Sequence, residues 1–179
     1  ILKSKGEGVQ AYQGDARNLK RFKNETFDIV LLFGPMYHLL NNEDKLLALT
    51  EAKRVVKKGG LIFISYLMNE YAVVVHGFRD GFIKESIENN RIDDDFNVVS
   101  VEPDLYSYVR LEEIDKLKVD AGLSRVEIIA QDGASDYIRE TLNKMDEETS
   151  ELFIKYQLKV AGRLEILGAS SHVLDILKK

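Results

Sequence analysis

At 179 residues with 45% hydrophobic content, the chain can bury one core and is most simply a single domain. A net charge of −5 and a pI near 5.3 argue against a general phosphate-backbone binder, leaving room only for a local basic groove. The absence of cysteine excludes disulfides and thiolate chemistry and fits a cytoplasmic protein. With no apolar run near the roughly 20 residues of a membrane span, no membrane association is expected.

Ile1 to Lys5 reads as the last turn of a helix running into Gly6, so the chain is expected to begin inside a larger domain. Val9 to Gln13 reads as a short strand, turned by Gly14-Asp15-Ala16 into a brief helical or irregular stretch from Arg17 to Phe22. Phe27 to Phe33 is nearly continuous Ile, Val and Leu, the pattern of a strand covered on both faces.

Asn41 or Asn42 is placed to cap a helix with Glu43 and Asp44 in its first turn and Lys53, Arg54, Lys57 and Lys58 at its end. Leu46, Leu49, Ala52 and Val56 give that helix its sheet-facing stripe. Gly59-Gly60 is expected to stop it before a buried strand, Leu61 to Tyr66.

Two helical pieces follow, Asn69 to Phe78 and Gly81 to Asn89. Between Glu85 and Asp104 seven acids face a single base, Arg91, which predicts a solvated and irregular segment. Leu105 to Arg110 alternates as a strand with Tyr106, Tyr108 and Arg110 on one side. Leu111, Ile114, Leu117 and Ala121 predict a helix ending at Gly122, and Ser124 to Gln131 another strand. Helices over Ser135 to Met145 and from Asp146 to about Val160 precede a final strand, His172 to Leu177. The order implies an α/β fold with helices layered on a mostly parallel sheet.

Two strand ends carry the chemistry: Gln13-Gly14-Asp15-Ala16 and Phe33-Gly34-Pro35-Met36-Tyr37-His38. Ligands of open α/β sheets bind at that carboxyl edge. Followed by Arg54-Val55-Val56-Lys57-Lys58-Gly59-Gly60 and a strand, they resemble the second half of a class I S-adenosylmethionine-dependent methyltransferase. The resemblance runs in pattern from about Ile1 to Leu67, and more loosely through the last strand. It implies a Rossmann-like three-layer sandwich, mostly parallel with an antiparallel last strand and N-terminally truncated. One partial domain over 1–179 would carry cap-like insertions at about 68–110 and 134–165.

The resemblance further implies S-adenosyl-L-methionine as cofactor and a small or medium-sized acceptor, more readily a small molecule than protein or RNA. Asp15 and the Ala16 amide would read the adenine. Phe33, Gly34, Pro35 and His38 would line the methionine and methyl end. The Asn/Asp-Pro-Pro-aromatic motif of amino-group methyltransferases is replaced by Gly34-Pro35-Met36-Tyr37, which argues against DNA- and glutamine-type N-methylation. His38 is the catalytic candidate, since an imidazole titrates near neutral pH; a helix-start histidine bonded to backbone is the plainer reading. The cap residues Tyr66, Tyr71, His76, Arg79, Tyr106, Tyr108 and Arg110, with Tyr37, are the substrate candidates.

No histidine has a partner at metal-ligand spacing, so no metal site is expected. Nothing before Asp15 supplies a glycine-rich loop, so weak cofactor binding by this stretch alone is expected, along with oligomerisation through an open sheet edge. Two other readings stand beside methyl transfer. One is a nucleotide-linked oxidoreductase, against which counts the missing Tyr-x-x-x-Lys pair. The other is a non-catalytic, truncated methyltransferase-like binding module.

Overall fold

The computed structural model describes residues 10–179. Four strands form one mixed sheet in the order β1-β2-β4-β3: β1 (Phe27–Leu32), β2 (Val56–Leu67), β3 (Ser124–Ala130) and β4 (His172–Lys178). β1 and β2 are parallel, and β4 runs antiparallel between β2 and β3. The predicted reversed last strand is therefore present, inserted next to β2. Three strands end, and β4 begins, at the same edge of the sheet.

The core lies on one face. Ile62 and Ile64 of β2 and Val173 and Leu177 of β4 are fully buried together with Ala48, Leu49 and Ala52 of α2 (Asn42–Val55). Ile114 and Leu117 of α5 (Leu111–Asp120) complete the layer. Each buried Ile, Leu or Val among them contributes about 1.5–3 kcal/mol by leaving water. α2 starts where the sequence indicates: Asn41 caps it, its side chain accepting from the Asp44 amide at 2.8 Å.

The opposite face departs from expectation. Ile29, Leu31 and Phe33 are about half exposed, so the run Phe27 to Phe33 is covered on one face only. Among the described residues no helix packs over that stripe, and β1 is an edge strand. Gln10 to Gln13, the described part of the first predicted strand, forms no strand, because no described strand lies beside it to complete its backbone bonds. Val9 and the predicted helix end at Ile1 to Gly6 lie outside the described residues.

Gly59-Gly60 does not stop the helix as expected. The helix has already ended at Val55, and Lys57 to Gly60 lie within β2 as a bulge that shifts its register against β1 between Phe27 and Ile29. Gly59 has φ +76°, and a Cβ on Gly60 would sit 2.6 Å from the Asp28 carbonyl oxygen. Close approach of two backbones, rather than helix termination, explains this pair of glycines.

Leu105 to Arg110 is extended but is not a sheet strand. It crosses the ends of β1 and β2, with the Ser107 amide bonded to Tyr37 O, the Val109 amide to Leu67 O, and one bridge between Met68 and Val109. The two predicted helical pieces after β2 are α3 (Asn69–Ala72) continuing into a π-helical turn (Val73–Arg79), then α4 (Ile83–Glu88). After β3 come a 3₁₀ turn (Ser135–Ile138), α6 (Arg139–Leu142), α7 (Glu147–Val160) and α8 (Leu164–Leu167). Asp146 caps α7 through the Thr149 amide, at 2.8 Å.

Candidate functional site

The Asp15 turn is pinned to α2 by a small ionic network. Glu51 accepts from the Leu19 amide at 2.6 Å and pairs with Arg54. Arg54 in turn donates to the carbonyls of Leu19 and Phe22. Hydrogen bonding from Arg54 holds the Glu51 carboxyl below its ordinary range. A depressed folded-state pKa contributes stability above the unfolded value, near 4.5, and loses it as pH falls through the folded value. Urea midpoints measured from pH 7 to pH 3 should therefore fall, and Glu51→Gln should show a shallower fall over that window. An equal slope in both proteins would contradict this role.

Asp15 itself accepts from Arg17 at three nitrogens: the backbone amide at 2.9 Å, Nε at 3.1 Å and Nη2 at 2.7 Å. These bonds lower its pKa to about 2, so it stays ionised. A carboxylate offers about four accepting positions, and the Asp15 side chain is 47% exposed, which leaves room for one more donor. Arg17 also reaches Asp44 at 2.8 Å, tying the turn to the start of α2. A groove of about 630 Å³ runs along this turn, bordered by Tyr12, Asp15, Ala16 and Phe22. A charged acceptor beside a small residue in an open groove fits an adenine amine and ring.

At the exit of β1, Gly34 leads into α1 (Pro35–His38), with Pro35 in its first turn. Tyr37 Oη donates to Phe33 O at 2.5 Å and closes that turn. A Cβ on Gly34 would meet nothing closer than 3.9 Å, so open space adjoins it. His38 Nδ1 lies 2.7 Å from Leu105 O, a bond in which the ring nitrogen donates, and its ring packs on Tyr106 at 5.4 Å. His38 thus bonds to backbone while still facing the pocket.

That pocket is a cavity of about 420 Å³ at the edge where β1 and β2 end and β4 begins. Of the residues singled out from the sequence, Tyr37, His38, Tyr71, His76, Tyr106 and Tyr108 meet around it. Burial pushes the Tyr71 and Tyr108 phenols up, so both remain neutral. Arg79 sits in an adjoining cleft with Tyr71 and Asp136, paired to Asp80 at 2.9 Å. Two others lie elsewhere. Tyr66 is in the core at 1% exposure, and Arg110 pairs with Glu70 at 2.6 Å beside a separate cleft.

Five residues of the cavity wall escaped sequence reasoning, Leu67 and Ser171 together with the titratable His172, Asp136 and Arg139. His172 opens β4, and its Nδ1 lies 2.8 Å from Asp132 Oδ2, which also accepts the His172 amide at 2.7 Å. Asp136 takes hydrogen bonds from Arg139 and from Tyr71 Oη, and the Arg139 bond lowers its pKa. Asp132 and His172, 40 positions apart, carry no local spacing signal; only sheet pairing joins them. Among the described residues no cluster of His, Asp and Glu is arranged to hold a metal, and no helix is long and apolar enough to cross a membrane.

An open α/β sheet with its last strand reversed beside β2 and a pocket at the carboxyl edge defines a Rossmann-like fold. Residues 2–64 match the family model described as a methyltransferase domain. Solved structures share the fold. A SAM-dependent methyltransferase from Methanosarcina mazei is 12% identical, with TM-score 0.53, over 93% of this chain and 65% of its own. One from Thermotoga maritima is 20% identical, TM-score 0.51, over 96% and 65%. One from Archaeoglobus fulgidus is 18% identical, TM-score 0.51, over 94% and 66%. The chain thus spans just under two thirds of the length of these structures, and no curated protein matches it. The partial family match and the shared fold show that the chain is Rossmann-like and similar to S-adenosylmethionine-dependent methyltransferases.

Proposed function

We propose that the chain serves methyl transfer from S-adenosylmethionine to a small or medium-sized acceptor. Two observations support this reading: an ionised Asp15 beside an open groove, tied through Arg17 to the start of α2, and a Gly34 turn after β1 leading into Tyr37 and His38, which line an aromatic cavity. Asp15 and the Ala16 amide would hold the adenine, while Phe33, Gly34 and Pro35 would line the methionine end. When bound, the cofactor supplies an electrophilic methyl group on a sulfonium.

The chain's own task is then to position an acceptor and exclude water, which can supply most of the acceleration. Tyr37 and His38 belong both to the β1 exit and to the cavity wall, so the two sites share a border. Nothing in the charged groups calls for a macromolecular acceptor: the cavity is small, and its one carboxylate, Asp136, is already paired with Arg139. A cytoplasmic setting agrees with the absence of cysteine.

Calorimetric titration with S-adenosylhomocysteine, using the protein at its full native length, tests the reading. Asp15→Ala should weaken binding by about 10- to 100-fold, the worth of a charge-assisted hydrogen bond. Unchanged affinity would reduce Asp15 to a turn-maker held by Arg17.

A further inference from the structure

We infer that the cavity at the start of β4 takes a neutral aromatic hydroxyl compound as methyl acceptor, and that His172, oriented by Asp132, removes its proton. The inference rests on the methyl-transfer reading and adds the acceptor class and the base.

The acceptor class follows from what lines the cavity. Its walls are largely aromatic: Tyr37, His38, Tyr71, Tyr106 and Tyr108, with His38 and Tyr106 rings 5.4 Å apart and Tyr37 and His172 rings 6.2 Å apart. Such walls favour a flat ring stacked or edge-on. The charged groups facing the space are Asp136 and Arg139, which are bonded to each other. Tyr71 Oη adds a second hydrogen bond to Asp136 at 3.1 Å. No lining carboxylate among the described residues is left free to receive an ammonium group, and burying an unpaired charge is costly. A neutral ring bearing a hydroxyl enters without that cost and can hydrogen-bond to the wall.

The base follows from the geometry of His172. An ionised carboxylate only accepts hydrogen bonds, so Asp132 Oδ2 at 2.8 Å requires Nδ1 to carry the proton. Nε2 is then the nitrogen free to take one. His38, by contrast, spends Nδ1 on the carbonyl of Leu105, with no carboxylate to stabilise a second proton. His76 leans on Asp80, which Arg79 already neutralises. Of the three histidines on the wall, only His172 is backed by a carboxylate without a cationic partner of its own.

A phenolic hydroxyl ionises near pH 10, so removing its proton is worthwhile at neutral pH. As the O–H proton passes to Nε2, the oxygen's electron pair forms the bond to the methyl carbon. The carbon–sulfur pair stays on sulfur, and the products are a neutral ether, a neutral thioether and an imidazolium facing Asp132. Asp132 acts through His172 and is a positioning residue.

The test uses ¹⁵N-labelled protein of full native length, with catechol and benzylamine as probes. Long-range ¹H–¹⁵N spectra of the neutral His172 ring should show Nδ1 protonated and Nε2 bare. Asp132→Asn should shift that balance toward Nε2–H while leaving the rest of the spectrum folded. The groups that bear on this titration are Asp132, Asp136, Arg139, Tyr37, Tyr71 and His76. Catechol should move the His172 and Tyr106 signals saturably, and with S-adenosylmethionine added, His172→Gln should lose about 10²- to 10⁴-fold in kcat with little change in KM. A wild-type ring protonated at Nε2, or benzylamine binding as well as catechol, would overturn the inference. Binding of S-adenosylhomocysteine alongside a failed catechol titration sinks this inference alone; catechol binding without it sinks the methyl-transfer reading instead.

Discussion

Replacing Asp175 by alanine should lower the unfolding free energy by about 3–5 kcal/mol, the largest loss expected from one side chain outside the apolar core. Asp175 is fully buried in β4, the strand that holds β2 and β3 together. Arg125 of β3 meets it with two parallel bonds, Nε–Oδ1 at 2.7 Å and Nη2–Oδ2 at 2.9 Å, and extends to Asp115 of α5 at 2.5 Å. Burial still holds the Asp175 carboxyl above its usual range, and Arg125 only partly offsets that effect.

Removing the carboxylate leaves the guanidinium with only the half-exposed Asp115 for a partner, and the break is costly because the buried, bidentate half of its pairing is lost. The double variant Arg125→Met with Asp175→Leu should recover most of the loss, since two apolar groups leave no charge behind. Urea unfolding of the single and double variants measures both. A single variant within about 1 kcal/mol of wild type would show that the pair is loosely solvated.

Gly34→Val is expected to do the opposite, sparing the fold and blocking the site. The residue has φ −139°, outside the left-handed region that favours glycine, and a Cβ there meets nothing within 3.9 Å. The melting temperature should stay close to wild type. Affinity for S-adenosylhomocysteine should fall on the order of 100-fold, because the added methyls occupy the space proposed for the methionine end. Retained affinity with a folded variant would move the cofactor away from the β1 exit.

Much of this architecture was legible because its signals are local. Asn41 before Glu43 and Asp44 marks a cap, the apolar stripe of α2 marks its buried face, and Gly122 ends α5 with φ +60° as expected. What failed was information carried by neighbours. The glycine pair at 59–60 looks the same in sequence whether it ends a helix or lets a bulged strand pass so close to Asp28 that a Cβ on Gly60 would sit 2.6 Å from its carbonyl oxygen. Gln10 to Gln13 alternates like a strand, yet alternation forms no ladder without a partner. Asp175 sits in an apolar run whose reading gave no reason to expect a buried acid, because its partner lies 50 residues away on β3. The candidate cavity was half visible: tyrosines and histidines of the cap stood out by type, whereas the Asp132–His172 contact exists only once β4 folds back beside β3.

The Asp15 turn and the β1 exit are proposed to form one cofactor site. The most direct measurement is a titration of ¹⁵N-labelled protein, at full native length, with S-adenosylhomocysteine, read by amide shifts. A shared site should give saturable shifts at Asp15, Ala16 and Gly34 with a common dissociation constant. Unmoved amides at all three, in a folded protein, would contradict it.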